Sequence, residues 1–173
     1  MMLRAVPLVL LGAAFVFWNA MPAPARAEEN PAALAAALGG ENAPATLQDG
    51  LKASEPKGIP ISAKFEIDNG KLQLSVYTMQ GDTFTEVVAD PKTGAIKEAE
   101  TIKDADDLKA AAAQKAAMAK AKVTLLAATE TAVKANPGSR AVSIYPQLNE
   151  GSATAEVTLL EGATFKKVTE KID

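Results

Sequence analysis

The sequence repeats itself at a fixed offset, and this repeat restricts the fold more than any other feature of the chain. A shift of 81 residues aligns residues 56–90 with residues 137–171 without a gap, and eight of the 35 aligned positions are identical. The identical pairs are Pro56/Pro137, Ser62/Ser143, Gly70/Gly151, Val76/Val157, Gly81/Gly162, Thr83/Thr164, Phe84/Phe165 and Val87/Val168. Any two β-meanders can share turn glycines and valines, but the gapless match favours two copies of one unit.

Alternation of apolar and polar residues predicts strands in both copies. Every second residue from Ile61 to Ile67 is apolar, which is the period of a half-buried strand. The dipeptide Asn69-Gly70 follows, and it is typical of a tight hairpin because both residues tolerate positive φ. Further strands are predicted at 72–77, 84–88 and 95–99 in the first copy, and at 141–148, 153–160 and 164–172 in the second.

Helices are predicted ahead of both sets of strands. A weak helix is expected at 44–54, where Gly50 lowers the helix propensity. Residues 104–135 have the pattern of one long helix, capped by Asp104 and carrying an alanine-rich apolar face. The predicted fold is α+β, with two tandem units that each pack a helix on a three- to four-stranded antiparallel meander. The first unit is expected at 44–103, and the long helix with the second unit at 104–173.

The N-terminus has the pattern of a secretory signal peptide. An apolar segment too short for a membrane span is followed by Ala25 and Ala27, the small residues that signal peptidase requires at its cleavage site. Cleavage is expected before Glu28, so residues 1–27 are the predicted signal peptide. Residues 28–43 are then expected to form a flexible lead segment, with a short helix at 31–38 that ends at Gly39-Gly40 as the alternative.

These features predict an exported protein, periplasmic in a Gram-negative host and otherwise secreted. The alternative is an uncleaved anchor, which Pro22 and Pro24 disfavour because proline interrupts a helix. No stable membrane anchor is expected after processing.

Composition excludes most hydrolase designs. The chain contains no histidine and no cysteine, which removes the common zinc and copper ligands, thiol chemistry and every Ser-His or Cys-His nucleophile. Loss of Arg4 and Arg26 with the signal peptide takes the formal net charge from −3 to −5, so nucleic acid is not an expected partner. No catalytic, cofactor-binding or metal-binding residue is predicted, although an enzyme that uses carboxylates alone stays open as an alternative.

Two groups of acidic residues are candidate sites. Asp104, Asp106 and Asp107 offer oxygen ligands for calcium, but they lack the spacing of a calcium loop and also suit the positive end of a helix dipole. Glu66 and Asp68 lie on one strand face as a formal acid and base pair. A solvated sheet face is the favoured interpretation, because nothing in the sequence buries these two carboxylates or pairs them across a cleft.

Residues 70–94 resemble the PepSY signature, in which two strands end on an Asp-x-x-Thr-Gly turn. The residues that carry this turn are Asp90, Pro91, Thr93 and Gly94. Residues 124–173 resemble a second, more divergent copy, in which Lys171 stands at the place of Asp90. Units of this family are small secreted α+β modules, found in prosegments of secreted metallopeptidases and as free-standing envelope proteins.

The resemblance implies a non-enzymatic module, without a cofactor, that binds or regulates a protein or peptide partner such as a peptidase of the cell envelope. The alternative is a structural or stress-related envelope scaffold with no dedicated ligand pocket. A catalytic role is not implied, because the family has no established catalytic residues to carry over.

The strand predicted at 164–172 is expected to be an open sheet edge, because the second copy stops before a fourth strand. Its candidate contact residues are Thr164, Lys166, Val168 and Glu170. An unpaired strand can accept an extended peptide through main-chain hydrogen bonds. Charged residues on such a strand are also the ordinary protection against aggregation, so an edge without a partner is the alternative.

Overall fold

The computed structural model describes residues 30–39 and 45–173, and it has an α+β fold. The predicted signal peptide at 1–27 and its cleavage site lie outside the described residues. The strands are β1 Ile59–Asp68, β2 Lys71–Gln80, β3 Thr83–Ala89, β4 Ile96–Thr101, β5 Arg140–Asn149, β6 Ser152–Glu161 and β7 Thr164–Lys171. The helices are α1 Pro31–Leu38, α2 Leu47–Ser54, α3 Ala105–Met118 and α4 Leu125–Ala135. The strands form one antiparallel sheet in the order β4-β3-β2-β1-β5-β6-β7, so both predicted meanders lie in the same sheet.

The 81-residue offset recurs in the pairing of the strands. Equivalent residues pair in the β1–β2 and β5–β6 hairpins, and both hairpins carry a bulge at the equivalent place. The pairs include Ala63↔Val76 and Ile144↔Val157, and the bulges lie at Pro60/Ser62 and Ala141/Ser143. Strands β1 and β5 pair at Ala63 and Ile144, which are equivalents of each other. An approximate two-fold axis therefore passes through this pair.

The helices lie on both faces of the sheet. Ala63 is part of the main core together with Leu51 of α2 and Leu125 of α4. The adjacent residue Ser62 faces the other way, and its hydroxyl donates to Oε1 of Gln114 in α3, at 2.9 Å. Helices α2 and α4 consequently cover one face, which is called the core face below. Helix α3 lies on the opposite face.

Helix α2 is better formed than its sequence predicted. The Thr46 hydroxyl accepts from the Asp49 amide at 3.1 Å, and the Asp49 carboxylate accepts from the Thr46 amide at 2.8 Å, which completes a capping box. These bonds also lower the pKa of Asp49. Gly50 weakens the helix in isolation but lets it approach the sheet, since a Cβ atom there would lie 2.7 Å from Leu74 Cδ2.

The prediction of one long helix at 104–135 is wrong, because α3 ends at Met118 and α4 begins at Leu125. The carbonyl oxygen of Ile172 accepts the amides of Lys122 and Val123, at 2.6 and 3.0 Å, between the two helices. The chain changes from one face of the sheet to the other in this segment. A continuous helix could not make that crossing.

The prediction of a flexible lead segment at 28–43 is wrong for residues 31–38, which form α1, the short helix that was the alternative there. Residues 28–29 and 40–43 of that segment lie outside the described residues. Leu34 and Leu38 are each only 2% exposed in the main core. The Arg140 guanidinium donates to the Leu38 carbonyl at 2.9 Å and to the Ala45 carbonyl at 2.8 Å. This guanidinium also lies over the Phe65 ring, 5.2 Å from its centroid. Arg140 therefore holds the start of the described chain against the sheet.

Candidate functional site at the edge of the sheet

Strand β7 is one of the two outermost strands of the sheet. It pairs with β6 from Thr164 to Lys171 without a bulge. Among residues 30–39 and 45–173 no strand lies on its outer side. At the other edge, β4 is six residues long, and its ladder with β3 shifts register between Val88 and Ala89. A regular strand is the better template for an added strand, because a bulge interrupts the ladder.

The direction of each β7 peptide group follows from the hairpin that precedes it. Glu161 pairs with Thr164 across a two-residue turn, and such a turn closes on a hydrogen-bonded pair. At the far end of the strand, the Ile172 amide donates to the Ala153 carbonyl at 3.0 Å. Because ladder bonds alternate along a strand, the even-numbered residues 164–172 point their N–H and C=O groups toward β6.

This geometry separates the predicted contact residues from their neighbours along β7. Thr164, Lys166, Val168 and Glu170 lie on the edge strand, but their peptide groups are directed at β6. The residues whose peptide groups point outward are Phe165, Lys167, Thr169 and Lys171. The two-residue turn at Gly162 was the sequence feature that could have identified them, since it fixes the register of the hairpin.

Side chains of β7 divide between the two faces of the sheet. Val168 is half-buried opposite Val157 on the core face. On the same face, the Lys166 ammonium donates to Oδ1 of Asn136 at 2.7 Å. Lys167 lies on the opposite face and donates to Oε1 of Glu156, also at 2.7 Å. The edge therefore presents an apolar and a basic residue on each face, Val168 with Lys166 on the core face and Phe165 with Lys167 on the opposite face.

The C-terminal end of β7 is firmly held. Ile172 is fully buried, and its carbonyl oxygen accepts hydrogen bonds from the amides of Lys122 and Val123, which lie between α3 and α4. The Asp173 carboxylate accepts from the Ala153 amide at 3.2 Å. A strand fixed in this way is preorganised for pairing, because little further conformational freedom is lost when a partner binds.

The predicted family turn is tightly bonded. The Asp90 carboxylate accepts the amides of Lys92 and Thr93 at 2.7 and 3.0 Å, and it pairs with the Lys97 ammonium at 2.7 Å. The Lys97 bond and these amides lower the pKa of Asp90 to about 2. The Pro91 carbonyl accepts the Ala45 amide at 3.2 Å. These bonds connect the turn to the start of α2, which is a structural role.

Gly94 completes this turn with φ of 71°. A Cβ atom at this position would lie 3.1 Å from Cβ of Asp49 in α2. Both observations require glycine here, because a side chain would meet an unfavourable backbone conformation and a close neighbour.

The two acidic groups have structural partners. Oδ1 of Asp104 accepts the amides of Asp106 and Asp107, at 2.9 and 3.2 Å, and so caps α3. Glu66 pairs with the Lys64 ammonium and accepts the Ser75 hydroxyl at 2.9 Å. In the described part of the chain, no group of three or more acidic residues is placed to hold a metal ion.

Tyr77 lies on the face that carries α3. Its hydroxyl donates to Oε1 of Glu86 at 3.3 Å. Burial raises the pKa of Tyr77, and the negative charge of Glu86 raises it further. The phenol acts as a hydrogen-bond donor to this carboxylate.

Comparison with known proteins leaves the family open. No protein-family model matches the chain, and no curated protein matches it. Among solved structures, the chain is similar to a presumed lipoprotein of Clostridium difficile 630, at 17% identity and a TM-score of 0.35. That similarity covers 69% of this chain and 87% of the other. Over the described ranges, 30–39 and 45–173, no helix combines the length and apolarity needed to cross a membrane.

Proposed function

We propose that the chain is a non-enzymatic, exported module of the PepSY type that binds an extended segment of a protein partner along β7. The observation that carries this proposal is the regular, anchored edge with outward peptide groups at Phe165, Lys167, Thr169 and Lys171. Main-chain bonds along such an edge supply affinity, and adjacent side chains supply specificity. A peptidase of the cell envelope is the partner class that the resemblance suggests.

The proposal includes two tandem PepSY-like units within the single sheet. It is supported by the equivalent registers and bulges of the two halves, and by the bonds that the Asp90–Gly94 turn makes at the PepSY-like position. The proposed location is the periplasm of a Gram-negative host, or the medium of another host.

A structural envelope scaffold is the second candidate. Lys166, Lys167 and Lys171 favour it, because lysines on an edge strand discourage pairing with other chains. Under this alternative the edge is protected and has no binding partner. The two candidates differ in whether the outward peptide groups of β7 are used.

Proline substitution at two adjacent residues separates these candidates. Thr169→Pro removes an outward N–H group and should leave the protein folded, with the loss of partner capture from an envelope extract. Val168→Pro removes a bond to β6 and should lower the melting temperature by several degrees, on the basis of roughly 1–3 kcal/mol for a lost buried bond.

The matched control is Ala99→Pro, which removes an outward N–H group from β4 at the opposite edge. The direction of that group follows from the Ile102 amide, which donates to the Phe84 carbonyl at 3.0 Å. Ala99→Pro should capture the same partner as the unaltered protein. Full capture by a folded Thr169→Pro variant would contradict the proposal and favour the scaffold.

A further inference from the structure

The approximate two-fold symmetry provides a template for the occupant of the β7 edge. Strand β3 is the equivalent of β7, and its outer edge is occupied by β4. The Phe84 carbonyl on β3 accepts the Ile102 amide at the end of β4. Phe165 stands at the equivalent place on β7, where its peptide group points outward. A strand bound to β7 can therefore adopt the antiparallel register that β4 adopts on β3.

The charges on the two edges differ at this register. On the face opposite the core face, Glu86 of β3 is paired with Glu100, and Val88 is paired with Glu98. The equivalents on β7 are Lys167 and Thr169. A glutamate bound to β7 in the position that Glu100 has on β3 would therefore lie opposite Lys167. On β3 itself, Glu100 lies opposite another carboxylate, that of Glu86.

Lys167 and Lys171 remain accessible on this face. Their side chains are 61% and 74% exposed. Lys167 pairs with Glu156 at 2.7 Å, and Lys171 makes a longer contact of 3.5 Å with Asp173. An ammonium group has three donors, so each lysine can bind a further carboxylate without losing its present one. Glu156 is the only acidic side chain that β6 places on this face beside them.

We propose that the β7 edge binds an extended acidic segment, antiparallel to β7, with carboxylates opposite Lys167 and Thr169. The carboxylate opposite Thr169 lies diagonally between Lys167 and Lys171, within reach of both. The residue between the two acids lies opposite Val168 on the core face. The equivalent position of β4 is the small residue Ala99, which lies opposite Val87. This inference rests on the proposed function, because it names the chemistry of the segment that the edge captures.

The strand β4 itself supplies a probe with this pattern. We would titrate the ¹⁵N-labelled protein with a peptide of sequence Ala-Ile-Lys-Glu-Ala-Glu-Thr-Ile, which corresponds to residues 95–102. The control peptide has both glutamates replaced by lysine. The expected result is a shift of the outward amides of β7 and an affinity for the acidic peptide roughly tenfold higher than for the control. The difference should shrink as ionic strength rises.

A Lys167→Gln, Lys171→Gln double variant should bind both peptides equally. Equal binding of the two peptides to the unaltered β7 edge would overturn the charge preference and leave the edge function intact. Shifts confined to β3, from exchange with the resident β4, would overturn the inference as well. If neither peptide binds while Thr169→Pro still loses partner capture, the inference that β7 binds an acidic segment is wrong and the proposed function stands.

Discussion

Individual residues at turns and bulges decide where the sequence patterns hold. Asn69 and Gly70 take φ of 47° and 75°, which confirms the tight hairpin expected from the Asn-Gly dipeptide. Ile61, by contrast, leaves the face on which Ala63 lies and packs with Phe84 and Ala111. The bulge beside it changes the alternation of side chains, and a strictly alternating pattern cannot reveal a bulge.

The Gly94 turn gives a prediction at this scale. Gly94→Val should lower the free energy of unfolding by about 1–3 kcal/mol, because it combines a positive φ with the approach to Asp49. Chemical denaturation would measure this loss. Gly81→Val is the matched control, since Gly81 also has positive φ but a Cβ atom added there would have no neighbour within 4 Å. Equal losses in the two variants would contradict the contact with α2.

Asp90 gives a prediction about pH. Its pKa of about 2 in the folded protein lies below the ordinary value near 3.9 in an unfolded chain. Its contribution to stability is therefore complete above about pH 4 and is lost as the pH falls through about 2. Asp90→Asn should be less stable than the unaltered protein at about pH 6, and the difference should shrink between about pH 4 and pH 2 and vanish below about pH 2.

Denaturation curves of both proteins across this pH range would check the expectation. Asparagine keeps one oxygen acceptor for the turn amides, so the turn itself should survive the substitution. A stability difference that stays constant from neutral to acid pH would show that the charge of Asp90 is not involved.

Elements were predicted well where their signals are local. The strand periods and turn residues gave all seven strands, and β4 was found at Ile96–Thr101 where 95–99 was expected. The division between α3 and α4 was missed because it depends on hydrogen bonds to Ile172, which lies about fifty residues after this division in the sequence. The peptide directions of β7 were also missed, although the turn at Gly162 determines them.

The two repeated phenylalanines are expected to differ in their effect on stability. Phe84 is 8% exposed beneath α3, so Phe84→Ala should cost about 3–4 kcal/mol. Phe165 is only half-buried, so Phe165→Ala should cost about half as much. Urea denaturation would compare the two variants. Equal costs would mean that α3 adds nothing to the burial of Phe84.

At the scale of the whole molecule, the repeat was visible in the sequence but the single sheet was not. The pairing of Ala63 with Ile144 joins residues that are 81 positions apart, and neither strand carries a local feature that specifies its partner. The role of Arg140 was likewise hidden, because the carbonyl groups of Leu38 and Ala45 that accept from it lie about a hundred residues away in the chain.

Arg140 provides a prediction at this scale. Arg140→Met should increase hydrogen exchange of the α1 amides, because it removes the donors that hold the Leu38 and Ala45 carbonyls. Mass spectrometry of peptides covering residues 31–38 would measure the change. The control is Lys166→Met, which removes an exposed bond to Asn136 and should leave α1 unchanged. Unaltered α1 exchange in Arg140→Met would show that Leu34 and Leu38 suffice to hold the helix.

The short pairing between β1 and β5 also has a consequence for the order of folding. Each meander is built from hairpins whose partners are close in sequence, whereas the seam at Ala63 and Ile144 must close a loop of 81 residues with only two paired positions. Closing a loop of this length costs more chain entropy than closing either hairpin, and two paired positions return little of that cost. We therefore expect the two halves to acquire their strands first and to join late, so that joining at the seam is the rate-limiting step.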